Sequence, residues 1–285
     1  MLGQAVLHVL SQEAGLQVEA TQRLSPDDPW YFDAEADGGR VGERLGCWGR
    51  FDVVINCIGL LQADIEERDP ESVRRAIAVN ALFPHELAAA ATAQGSRVIL
   101  VSTDGVFSGT RGPYSEDDPP DAADVYGKTK SLGEVWRPGV LTIRCSLIGR
   151  DPVGKRGLLE WFLAQPDGAQ LPGYTDYLWN GVTTVQFAEM CRRLIVEDRF
   201  DEVMQDGSIH HFCPNKPVSK YELLMIFQTV FQKEVQVVPA RQGDRPMQRV
   251  LRSCWQRLGR LGPHDGEVAI AVRQLAEAQA PQVVR

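Results

Sequence analysis

Tyr126 and Lys130 stand four residues apart in the run Val125-Tyr126-Gly127-Lys128-Thr129-Lys130. On a helix, that spacing sets both on one face. An ammonium beside a phenol favours the phenolate, so the pair is expected to lower the Tyr126 pKa and make it a general acid near neutral pH. Six tyrosines and six lysines in 285 residues give about 0.13 such pairs by chance, so the pair needs context. The context is the apolar run RVILVST (97–103), which ends in Ser102-Thr103, 23 residues before Tyr126. Open α/β sheets bind ligands at the carboxyl ends of their strands. A Thr103 hydroxyl there polarises a substrate carbonyl while Tyr126 donates a proton. Asn80, in the helix before that strand, is placed to hold a water or a backbone carbonyl for proton relay.

The elements that must position these groups follow from pattern. Leu2, Ala5, Val6, Val9 and Leu10 have helical spacing, with Gly15 as the expected cap. LQVEATQ (16–22) reads as a strand, and residues 25–49 as a loop rich in Asp, Pro and Gly. DVVINCIG (52–59) is a buried parallel-type strand. Asp69-Pro70 starts a helix expected to run to about Gln94. Residues 125–136 form a helix, and GVLTIRC (139–145) a further strand. Strands alternating with helices imply a parallel sheet covered on both faces. Beyond 146 come a helix (158–165), an aromatic loop (173–181), capping boxes at Thr183 and Ser219, and short strands at 208–213 and 234–239. A last helix runs from about 265 to 280.

Length divided by about 150 residues per domain predicts two domains. Thirty basic and 38 acidic residues leave a net charge of −8, which argues against a nucleic-acid partner. No apolar stretch reaches the roughly 18 residues of a membrane span. The start, with Gln4, His8 and Glu13, has no secretory pattern. The six cysteines (47, 57, 145, 191, 213, 254) show no ligand or disulfide spacing, which implies free thiols and a reducing cytoplasm. His210-His211 are strand residues rather than metal ligands, and no metal site is expected.

The runs INCIGLLQADIEERDPESVRRAIAVNALFPHELAAAA, ILVSTDGVFSG, PYSEDDPPDAADVYGKTKSLGE and LTIRCSLIG together resemble the extended short-chain dehydrogenases/reductases, most of all their dTDP-4-dehydrorhamnose reductase branch. The resemblance covers about residues 1–240. It implies a Rossmann-type doubly wound parallel sheet at 1–145, with 181–213 returning to it. A smaller C-terminal α/β substrate-binding domain would comprise 146–180 and 214–285. It implies hydride transfer from NADP, with NAD second, to the 4-keto group of a nucleotide-linked deoxysugar, and a homodimer as one expected assembly. Thr103, Tyr126 and Lys130 would be catalytic, Lys130 also binding the nicotinamide ribose. The cofactor would lie along Gly3, Asn56, Cys57, Ile58, Gly59 and Ser102, with Asp33 at the adenine. Arg23 would meet a 2′-phosphate, whose geometry suits a guanidinium. Asp104, Gly105, Val106, Phe107, Leu147, Trp161, Tyr174, Trp179, Asn180 and Arg245 would meet the substrate.

Three departures from the family pattern bear on function. Met1-Leu2-Gly3 matches only the end of the Gly-rich turn, without the strand and the two glycines that bring backbone to a pyrophosphate. The expectation is a trimmed start, and the alternative is a member with weakened cofactor binding. Absence of that strand would leave an apolar slot. Gly105 and Leu147 replace two aromatics, which implies a different sugar. Gly105 also leaves no carboxylate base for a dehydratase. The competing functions are a non-catalytic subunit like the regulatory subunit of methionine adenosyltransferase, and an epimerase that returns its hydride.

Overall fold

The computed structural model describes residues 1–151, 153–243, 246–263 and 266–278. In chain order the first half carries α1 (Leu2–Leu10), α2 (Ala34–Asp37), α3 (Val41–Trp48), β1 (Val53–Asn56), α4 (Pro70–Ala76), α5 (Phe83–Ala93), β2 (Arg97–Thr103), α6 (Val125–Leu132) and β3 (Val140–Cys145). The second half carries β4 (Leu147–Ile148), α7 (Leu158–Leu163), β5 (Gln170–Tyr174), β6 (Tyr177–Trp179), β7 (Val182–Thr183), α8 (Thr184–Val196), α9 (Phe200–Met204), β8 (Ile209–His211), β9 (Val218–Ser219), α10 (Lys220–Phe231), β10 (Gln236–Ala240), β11 (Met247–Gln248) and α11 (Val268–Glu277).

The main sheet is parallel, in the order β1-β2-β3-β8. Successive β2 side chains face opposite layers. Ile99 joins Leu2, Val6, Leu141, Ile143 and Phe187 under α1 and α8. Val98 and Leu100 join Val41, Leu45, Phe83 and Leu87 under α3 and α5. A third core, with Phe162, Leu223, Phe227 and Val272, holds α7, α10 and α11 over β5 and β10.

Local signals act where expected. Asp69 accepts from the Glu71 and Ser72 amides and Pro70 opens α4. Thr183 and Ser219 form reciprocal capping boxes. Between α4 and α5 the helix widens into a π segment (Ile77–Leu82) that contains Asn80. Such widenings need a local reason, and here Asn80 is turned onto the backbone of residue 60.

Three expectations are corrected. α1 ends at Ser11, before Gly15. Residues 16–22 form no strand: Gln22 makes one isolated bridge to Tyr31, and 17–21 enter no ladder among the described residues. Their apolar side chains Leu16 and Val18 pack against the core, but a cavity separates this segment from the outer edge of β1. A strand pattern without a neighbour makes no ladder. The aromatic loop 173–181 is instead the end of β5 plus β6, which pair with β10, β11 and β9 far along the chain. Local pattern does not announce such distant partners. No helix of the described residues is long and apolar enough to cross a membrane.

Candidate active site

One continuous cavity of about 1860 Å³ runs from the first turn of α1, past the end of β1, to the ends of β2 and α6 and on to β6. Part of this space is an apolar gap between residues 16–22 and β1, bordered by Val41, Leu45 and Phe83.

At its centre, α6 presents Tyr126 and Lys130 beside Thr103 at the carboxyl end of β2. Asp124 caps α6 by accepting from the Gly127 amide at 2.8 Å. Gly127 has no room for a Cβ, which would lie 2.4 Å from the Gly105 carbonyl oxygen, so a glycine lets α6 close on the 105 turn. A Cβ at Gly105 would in turn lie 2.9 Å from Tyr126 Cε1. Thr103 Oγ1 accepts from the Gly105 amide at 3.0 Å and donates to Asp104 Oδ1 at 3.2 Å. Thr103 Oγ1 and the Tyr126 ring both border the place that a Gly105 Cβ would fill.

The electrostatics correct one expectation. Burial pushes the Tyr126 phenol up to about 12, the nearby Thr103 hydroxyl opposing this and Asp104 adding to it. Desolvation disfavours the phenolate more than neighbouring charge favours it. Lys130 does not offset this, because its ammonium donates to the Val101 carbonyl at 2.8 Å. Burial lowers Lys130 to about 8. Tyr126 therefore holds its proton at neutral pH, as a proton donor must.

The β1 end turns sharply into the cavity. Asn56 Oδ1 accepts from the Ile58 amide at 2.9 Å. Gly3 sits over Cys57, where an added Cβ would be 3.5 Å from Cys57 Cβ. That is the close helix-to-strand approach a glycine permits. Burial raises the Cys57 thiol to about 12. Gly3, Asn56, Cys57, Ile58 and Gly59 all line the cavity. Asn80 Oδ1 accepts from the Leu60 amide at 2.8 Å and Asn80 Nδ2 donates to the Leu60 carbonyl at 3.1 Å. Both groups of its amide are spent on shaping this turn.

Other residues singled out from sequence divide clearly. Asp104, Gly105, Leu147 and Trp179 line the cavity, and so does Tyr177. Trp179 Nε1 donates to Ser146 Oγ at 2.8 Å. Val106 and Phe107 lie instead in a core with Tyr114. Asn180 ties residue 251, donating to its carbonyl at 2.7 Å and accepting from its amide at 3.0 Å. Ser102 also lines the cavity and donates to Glu134 at 2.7 Å, beside a buried Glu134–Arg144 pair. Tyr174 is off the cavity, and Trp161 is 42% exposed on α7. Arg23 is exposed, Asp33 caps α2, and neither lines the cavity. Arg245 lies outside the described residues. Sequence reasoning missed Lys220 and Arg249, which line the far end of the cavity. Their spacing from the other site residues has no periodic signature, and only the fold gathers them.

The family model for the RmlD substrate binding domain matches residues 1–254. The chain belongs to this family. The Rossmann-like α/β architecture expected from sequence is that of its members' solved structures. Among these, a dTDP-4-dehydrorhamnose reductase from Yersinia enterocolitica superposes with a TM-score of 0.74 at 19% identity, over 97% of this chain and 95% of that one. A dTDP-4-dehydrorhamnose reductase from Bacillus anthracis, solved in complex with NADP, gives 0.64 at 17% identity over 84% of each chain. Among curated relatives, the dTDP-4-dehydrorhamnose reductase of Mycolicibacterium smegmatis is 45% identical over 105 residues, 35% of this chain and 31% of that protein. Methionine adenosyltransferase 2 subunit beta of Danio rerio is 28% identical over 199 residues, 63% of this chain and 55% of that protein. The chain thus spans less than two thirds of the length of these two relatives.

Proposed function

We propose that this chain is an NADP(H)-dependent reductase of a nucleotide-linked 4-keto-6-deoxysugar, with Tyr126 as the proton donor. The observation that carries the reading is the meeting of Tyr126, Thr103 and Lys130 in one cavity bordered by the first turn of α1 and the backbone of 56–59. The site suits a nicotinamide dinucleotide at this end: Lys130 Nζ lies 3.8 Å from where a Gly59 Cβ would stand, beside backbone that leaves space for a ribose. When bound, the reduced nicotinamide supplies hydride to the ketone carbon. Tyr126 gives its proton to the sugar oxygen, while Thr103 holds that oxygen by hydrogen bonding. Lys130, released from Val101, serves the ribose hydroxyls. The preference for NADP rests on the NADP-bound relative.

The test is a parallel titration with NADPH and NADH followed by nicotinamide fluorescence, then a screen of 4-keto nucleotide sugars. Saturation at micromolar NADPH, tighter than NADH, with turnover in the screen supports the reading. A second reading, a non-catalytic subunit serving a partner enzyme, is favoured by the methionine adenosyltransferase subunit match, which is longer than that to the reductase. A chain that co-purifies with an enzyme subunit and turns over no keto sugar takes that reading instead. Retained cofactor with no net NADPH consumption marks an epimerase.

A further inference from the structure

Two cations stand at the end of the cavity beyond Asp104, on elements distant in sequence. Lys220 opens α10, and its Nζ lies 5.1 Å from the ring centroids of both Tyr177 and Trp179. Arg249 follows β11 and runs beside Gly109. Among the described residues, Lys220 enters no hydrogen bond or ion pair and Arg249 Nε is buried without a hydrogen-bond partner. Among the described residues, Asp104 is the one carboxylate acting on Lys220, and its Oδ1 already accepts from Thr103. Burial raises Asp104 and lowers Lys220, as expected of charges withdrawn from water. Whether Asp104 is ionised or protonated, the three groups sum to a net positive charge, because two cations face at most one anion. Both side chains are half-buried at the cavity wall, and a surplus of like charge partly withdrawn from water is relieved by a ligand anion.

We propose that Lys220 and Arg249 form an anion clamp that binds a carboxylate or phosphoryl oxygen group of the substrate next to the reacting centre. This rests on the reading of the cavity as a nucleotide-sugar site and names what that substrate must carry. An Arg supplies a planar fork and a Lys a point charge, which together suit an oxyanion of either kind.

The experiment is calorimetric titration of the full chain with UDP-glucuronic acid and, separately, UDP-glucose. It compares wild type with Lys220→Met, Arg249→Gln and Arg249→Lys, each checked for an unchanged melting temperature. Loss of at least about tenfold in affinity for UDP-glucuronic acid alone assigns the clamp to a sugar carboxylate. Equal loss for both probes assigns it to the diphosphate. In either case Arg249→Lys recovers part of the affinity, which a purely structural arginine would not allow. Folded Lys220→Met and Arg249→Gln variants that keep affinity for both probes within twofold overturn the proposal, as does a folded wild type that binds neither. Binding is read without turnover, so failure of the reductase reading is separate. It would appear as a wild type that oxidises no NADPH with any 4-keto nucleotide sugar.

Discussion

Lys130 reaches from α6 to donate its ammonium to the Val101 carbonyl at 2.8 Å, although Tyr126 stands only one turn away on the same face. The two residues thus divide their work: Tyr126 keeps its proton beside Thr103, and Lys130 borders the turn after β1. The expected outcome is that Tyr126→Phe and Lys130→Met differ in kind. Tyr126→Phe lowers kcat for keto-sugar reduction by about 10²–10⁴, the usual worth of a positioned proton donor, and leaves NADPH affinity within a few-fold. Lys130→Met weakens NADPH binding as well. Fluorescence titration beside steady-state kinetics separates them, and full activity in Tyr126→Phe removes it from the mechanism.

Gly105 is a spacing device. An added Cβ would lie 2.9 Å from Tyr126 Cε1 and 3.3 Å from Thr103 Oγ1, so Gly105→Ala must move one of the two. Overpacking of this sort costs about 1–3 kcal/mol when the surroundings are rigid. The ring borders an open cavity and can shift into it. The expected result is a melting temperature lowered by only a few degrees with kcat reduced by tenfold or more. A variant with wild-type kcat would show that the phenol need not sit where it does.

His211 lies 1% exposed in β8, and its partners define its tautomer. Nδ1 is 3.0 Å from the Arg252 carbonyl, which only accepts, so Nδ1 carries the hydrogen. Nε2 is 3.3 Å from Arg144 Nη1, which only donates, so Nε2 is bare. A second proton would face a guanidinium. Burial first, with Arg144 assisting and Glu116 opposing, lowers this imidazole from 6.5 to about 4. The folded pKa is below the unfolded one, so the unfolded chain binds more protons between these values. Stability is therefore complete above pH 6.5 and falls as pH drops toward 4. A shift of that size corresponds to about 3 kcal/mol over the whole window. His210, lowered mainly by burial, adds in the same sense. Urea unfolding at pH 7.0 and 5.5 checks this, and His211→Asn is expected to flatten the slope.

The sequence was most legible where a residue acts through its neighbours in the chain. β2 matches the run RVILVST, and Asp69, Thr183 and Ser219 cap the helices their spacing announces. The centre of the site was legible for the same reason: Tyr126 and Lys130 share a helix, and Thr103 ends a strand. What depended on distant packing was not. Val106 and Phe107 pack into a core with Tyr114, while Trp161 lies outward on α7. Lys220 and Arg249 reach the cavity only through pairings of β6 with β9 and β11. Type and spacing locate chemistry on one element, but convergence between elements is set by tertiary contacts.

Residues 16–22 carry strand-like alternation, with Leu16 and Val18 turned to the core, yet 17–21 make no ladder bonds among the described residues. A cavity lies between them and β1, and their backbone makes no bonds to the sheet edge. β2, held between β1 and β3, has ladder partners on both sides. Protection from hydrogen exchange follows hydrogen bonding and local opening free energy. The amides of 17–21 are therefore expected to exchange within the earliest time points, while those of 98–101 exchange only on global unfolding. Amide exchange read by mass spectrometry or NMR checks the contrast. Protection of 17–21 approaching that of β2 would mean that this segment is paired in solution. The open side of β1 would then be closed, and the cavity would lose the part that lies between them.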